Sequence, residues 1–130
     1  MKHKLFLLAF AAILFAGCEK KQVADVKDLT ISFEYREVEG ATGYCDFEFR
    51  STSTPSYVAP DLWYDFGKDH AMAIGDGHHR FKTAGTYNVT VMYKPGVDPE
   101  PNKIHASRTF TFTLTGVSDS TWKAATPTDL

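Results

Sequence analysis

From residue 29 to residue 114 the chain repeatedly alternates apolar and polar side chains, and no stretch keeps an apolar face at helical spacing. A β-strand throws successive side chains to opposite faces, so period two marks a strand buried on one side. Leu29, Ile31, Phe33 and Tyr35 alternate with Thr30, Ser32, Glu34 and Arg36. Tyr44 to Arg50 repeats the pattern, and Leu62 to Phe66 makes a third, short strand ended by Gly67. Phe81 begins a further short segment before a turn at Gly85, and Tyr87, Val89, Val91 and Tyr93 alternate with Asn88, Thr90 and Met92. The last strand, Ile104 to Leu114, has Phe110, Phe112 and Leu114 on one face and Thr109, Thr111 and Thr113 on the other, with Thr115 continuing that face. Turn and loop signals separate these runs: Gly40 and Gly43, STSTPS at 51–56, and KPGVDPEPNK at 94–103. Six or seven short strands joined by polar turns predict an all-β fold of two packed antiparallel sheets, with a closed barrel as the alternative.

The first residues follow other rules. Lys2 and Lys4 precede an apolar run from Leu5 to Ala16, then Gly17 and Cys18. A charged start, a short apolar core and small residues before a cleavage point describe a secretory signal peptide, expected as a helix over 1–17. The run falls short of the roughly 20 residues of a permanent span. LFAGC at 14–18 resembles the lipobox of bacterial lipoproteins, with Phe15 where that family usually has Leu. The resemblance implies cleavage before Cys18, lipid on its thiol and on the new amino terminus, and attachment to a membrane. Glu19 does not resemble the Asp signal that holds lipoproteins in the inner membrane, so the expected place is the outer membrane, on its periplasmic face or at the cell surface. An ordinary signal peptide ending near a cysteine is the plainer alternative.

Loss of 1–17 removes two lysines and leaves 113 residues with 12 basic against 16 acidic side chains. That length suits one compact domain, and a mildly acidic domain does not suit a nucleic-acid binder. Residues 18–28 read as a lipidated tether reaching about 35 Å at full stretch, 29–116 as the sandwich and 117–130 as a tail with one large anchor, Trp122. With Cys18 lipidated, Cys45 has no partner for a disulfide. Its phase with Phe47 and Phe49 turns it toward the core, where a thiol is inert.

WYDFG at 63–67 and HRFKTAGTYNVTV at 79–91 resemble the polycystic-kidney-disease (PKD) domain, an immunoglobulin-like sandwich. The likeness implies structural roles for Asp65, Phe66, Gly67, His79, Phe81, Gly85 and Tyr87. Tyr87 would bury its ring and bond its hydroxyl back to the backbone, and Gly85 would supply a positive φ. Lys68-Asp69 departs from the family's Asp-Gly, and HAMAIGDG at 70–77 reads as a loop insertion.

Asp65, Asp69 and Asp76 with His70, His78 and His79 raise the question of calcium or zinc. Their spacing fits no cation loop, and adjacent histidines on an extended chain face opposite ways. The reading is a polar loop with no metal and no cofactor. No GxSxG, HExxH or P-loop is present, so no catalytic residue is expected and the chain reads as a non-enzyme. Trp63, Tyr57, Tyr64 and Trp122 are the candidate ligand-binding residues, because aromatic faces near loops stack on sugars and anchor protein contacts. The alternative is that they complete the core or cover a sheet edge. The expected function is a non-catalytic protein- or glycan-binding module on a membrane anchor. The second expectation is a structural accessory subunit of a larger envelope complex, docking by a sheet edge or the 94–103 loop.

Overall fold

The computed structural model of the chain describes residues 23–96 and 103–129. The signal helix expected over 1–17, Cys18 and the middle of the 94–103 loop lie outside the described residues. The strands are β1 (Phe33–Val38), β2 (Cys45–Ser51), β3 (Leu62–Asp65), β4 (Ala73–Ile74), β5 (Gly77–Phe81), β6 (Gly85–Tyr93), β7 (Ala106–Leu114), β8 (Lys123–Ala124) and β9 (Thr126–Pro127). Two 3₁₀ turns, Val26–Asp28 and Ser56–Asp61, complete the elements. Among the described residues no helix is long and apolar enough to cross a membrane.

The strands form two antiparallel sheets, ordered β5-β2-β1-β8 and β4-β3-β6-β7-β9. Setting aside the two tail strands, β1-β2-β5 faces β4-β3-β6-β7, the A-B-E against C′-C-F-G order of an immunoglobulin-like sandwich. Alternation places Phe33 and Tyr35, Cys45, Phe47 and Phe49 inward from one sheet, and Leu62, Tyr64, Val89, Val91, Phe110 and Phe112 inward from the other. Their rings meet edge to face across the interior, as in Phe33 on Phe110 at 5.1 Å and Phe33 on Tyr64 at 5.5 Å. Such offset geometry suits the aromatic quadrupole. Cys45 is a buried free thiol.

Tyr87, third in β6, has its ring stacked on Phe81 at 3.9 Å and its hydroxyl donating to the Thr83 carbonyl. Gly85, which opens β6, has φ +155°, a backbone that a side chain would strain.

The sequence expectations and the structure differ in four places. Phe81 ends β5 instead of beginning a strand; the run Gly77–Phe81 pairs with β2, His79 opposite Phe47. Its polar look comes from being an outer strand. Within the expected loop insertion, Ala73 and Ile74 pair with Tyr64 and Trp63. Regular strand β1 starts at Phe33, yet its pairing runs on in the same register: the Thr52 N–H donates to the Ser32 carbonyl, and Thr30 and Thr54 exchange backbone hydrogen bonds, while the Ile31 carbonyl accepts from Arg108.

The largest difference is at the ends. The tail is not an appendage. Lys123 and Ala124 pair with β1, buried Ala125 bonds to Phe33, and Thr126 and Pro127 pair with β7. One short segment thus closes the edge of both sheets. On the tether side, Ala24 is buried and its N–H donates to the Tyr93 hydroxyl at 2.9 Å. Free tether therefore ends by residue 23. Three of the four outer strands have two residues each, too short to template another chain, and β5 guards the fourth edge with His78, His79 and Arg80.

Glu37 shows how a buried acid is accommodated. It falls in phase with Phe33 and Tyr35 and is only 5% exposed. Its carboxylate accepts from the Thr115 N–H, the Thr115 hydroxyl and the Gly116 N–H at 2.7–2.8 Å. Three donors offset the desolvation.

Candidate functional site

The outward face of the five-stranded sheet is built by register. Trp63 lies opposite Ile74 on one side and Met92 on the other, and Met92 opposite Ser107. The Lys94 ammonium stands 4.3 Å from the Trp63 ring centroid, a cation–π contact. Below that row come Asp65, Thr90 and Thr109; then Asn88, Thr111 and Thr126; then Thr86 and Thr113. Successive rows are two residues apart, about 7 Å. Thr90 bonds Thr109 at 3.1 Å and Thr86 bonds Thr113 at 3.0 Å. In each pair one hydroxyl donates, so the other keeps its hydrogen for a ligand. The face is thus an indole beside ranks of hydroxyl and amide groups, with formal charge only at Asp65 and Lys94.

The other outward face is the opposite in character. Glu34 pairs with Arg50, Arg36 with Glu48 at 2.9 Å, and Asp46 with Arg80 at 2.7 Å, each pair cross-strand neighbours. Arg80 hydrogen bonds hold the buried Asp46 carboxyl below its ordinary range.

The four candidate aromatics do not converge. Trp63 faces out, half-buried, and Tyr57 is 42% exposed on the Ser56–Asp61 turn. Tyr64 is a correction: it is wholly buried between Phe33, Phe49 and Phe66 and offers nothing to a ligand. It is one residue from Trp63, so alternation sends it inward. Trp122 is half-buried and stands apart from Trp63. It lies on the four-stranded sheet, where the Arg36 and Arg50 guanidinium carbons stand 4.5 and 3.9 Å from its ring centroid.

Tyr64 carries a consequence for stability. Its hydroxyl is buried with no partner, and burial, then the Asp76 charge, push its phenol upward. An orphaned buried hydroxyl costs about 1–3 kcal/mol. Tyr64→Phe is therefore expected to stabilise the fold by about 1 kcal/mol, raising the melting temperature by roughly 4 °C. A calorimetric scan showing a lower melting temperature would contradict this.

The Asp and His residues between β3 and β5 are mostly bound to the protein itself. Asp65 accepts from the Gly67 N–H, and Asp76 from the Ser51 N–H. His78 and His79 point to opposite sides: His78 reaches Asp46 at 3.5 Å, while His79 stacks on Phe66 at 4.2 Å. The His79 Nε2 and His70 Nδ1 share a hydrogen bond of 2.8 Å. Burial, then the neighbouring His70 and His78, push the His79 imidazole down to about 4. Among the described residues no three His, Cys, Asp or Glu side chains are grouped to hold a metal.

No family model, curated protein or solved structure matches the chain. The functional reading therefore rests on the site. Sequence reasoning found Trp63 but missed its neighbours Ile74, Met92 and Lys94. Phase along β6 was available to place Met92 outward, whereas Ile74 and Lys94 lie in no run long enough to show a period. The pairing that sets them side by side was not available.

Proposed function

We propose that this protein is a cell-envelope lipoprotein anchored through Cys18, whose PKD-like sandwich is a non-catalytic module binding a glycan or a protein. The observation that carries the binding role is the outward face of the five-stranded sheet, where Trp63 stands one row from the hydrogen-bonded Thr90–Thr109 pair and formal charge is confined to Asp65 and Lys94. An indole plane stacks on an apolar ring or side chain, and paired hydroxyls supply oriented donors and acceptors. Trp63→Ala is expected to weaken capture on a glycan array or in a pull-down from intact cells by about thirtyfold, the usual weight of a central tryptophan. Retained binding by a folded Trp63→Ala protein counts against this face.

The anchor is tested separately. Cys18→Ser is expected to abolish fatty-acid labelling and release the protein from membranes; unchanged labelling defeats the lipoprotein reading. The accessory-subunit alternative draws on β5, the one outer strand longer than two residues among those described. A stoichiometric protein partner lost in an edge variant at β5, and kept in Trp63→Ala, favours it.

A further inference from the structure

We infer that the end of the sandwich where the chain enters rests directly on the membrane surface, a geometry that builds on the Cys18 anchor proposed above. Packing begins at Ala24, whose backbone is tied to Tyr93. Five residue steps separate Cys18 from Val23, a span of about 18 Å at most. A lipid on Cys18 holds this end near the bilayer, whatever path those residues take.

Four of the eight exposed large apolar side chains among the described residues lie at this end; Met72 and Ile74 are exposed at and just before β4. This end is formed by the entering chain, the Ser56–Asp61 turn, the end of β6 and the start of β7, which Tyr93 joins through its contacts with Ala24 and His105. Val23, Val26, Tyr57 and Ile104 are exposed there, at 44%, 51%, 42% and 51%. The far end, with the turns at 39–44 and 115–118, exposes Tyr44 and Val117. Single exposed apolar residues are ordinary. Four at the end held nearest the lipid, with Trp63 in the adjoining row, have the makeup of an interfacial contact: aliphatic and aromatic groups enter the headgroup boundary. Among the described residues of this end, Lys27, Lys94 and Lys103 stand against Asp25, Asp28 and Asp61. The contact also sets the direction of the binding face, which would stand upright with the Trp63 row nearest the lipid.

The test uses protein carrying its own lipid, reconstituted in phosphatidylcholine vesicles with brominated acyl chains. In a Trp63→Phe, Trp122→Phe background, one tryptophan is placed by Tyr57→Trp or by Val117→Trp. Quenching at position 57 is expected to exceed that at 117 at least threefold. Adding Val26→Asp and Ile104→Asp should bring it down to the level at 117, with fatty-acid label on Cys18 unchanged. Equal quenching at 57 and 117 overturns the inference and leaves the anchor standing. Absence of lipid on Cys18 in the same preparation overturns the anchor, and the inference with it. Should the substituted background fail to fold, the native tryptophans decide: single Trp→Phe variants should show Trp63 quenched more than Trp122, and equal values overturn the inference.

Discussion

Phe47→Ala is expected to destabilise the domain by about 4 kcal/mol, the range for truncating a fully buried phenylalanine. Phe47 is 0% exposed, and its ring lies between 5.2 and 6.1 Å from those of Phe49, Phe66, Phe81, Phe112 and His79. It therefore joins strands of both sheets at one point. A single domain is stable by only about 5–15 kcal/mol, and Cys45 is the free thiol of the described residues. The loss should appear as a fall of about 15 °C in melting temperature. A loss below about 1 kcal/mol would show that the aromatic interior is not what holds the sheets together.

Acid should weaken the fold well above the usual carboxylate range. His79 is held down at about 4, while an unfolded histidine titrates near 6.5. Between those values the unfolded chain binds the extra proton and the folded one does not. Stability is then whole above about pH 6.5 and declines as pH falls toward 4. Allowing for the partial solvent access of the ring, the loss is roughly 2 kcal/mol. Asp46 acts in a lower window. Its carboxyl is depressed by Arg80, so its contribution is lost only as pH drops below about 4. His79→Gln should flatten the upper window and keep the lower. Denaturant melts from pH 7 to 3 measure both, and an unchanged upper slope in His79→Gln would assign it to other groups.

The central strands were legible from composition and period alone. Cys45, Phe47 and Phe49 declare one face of β2, and Phe110, Phe112 and Leu114 one face of β7. Each declaration is local, since a strand's two faces follow from its own pleat. The outer strands were harder. Gly77–Phe81 carries His, Arg and Gly because an outer strand meets water, so only Phe81 stood out. Two-residue strands such as Ala73–Ile74 have no period to read.

The site divides the same way. That Trp63 and Tyr64 face apart was in the alternation; which of them faces out depended on Leu62 and Tyr64 sharing the core with the opposite sheet. That Trp122 meets Arg36 and Arg50 required the tail to return across more than 70 residues, and no local signal encodes such a return.

Sequence by itself determined that this is an all-β chain, where its main strands run and which side chains line them inward, because those properties belong to the backbone repeat. The tertiary structure alone decided the strand order, the closure of both sheets by residues 123–127, and the meeting of Trp63 with Ile74, Met92 and Lys94. Those arise from pairings between distant segments, and a pairing depends on which edges the rest of the chain leaves open.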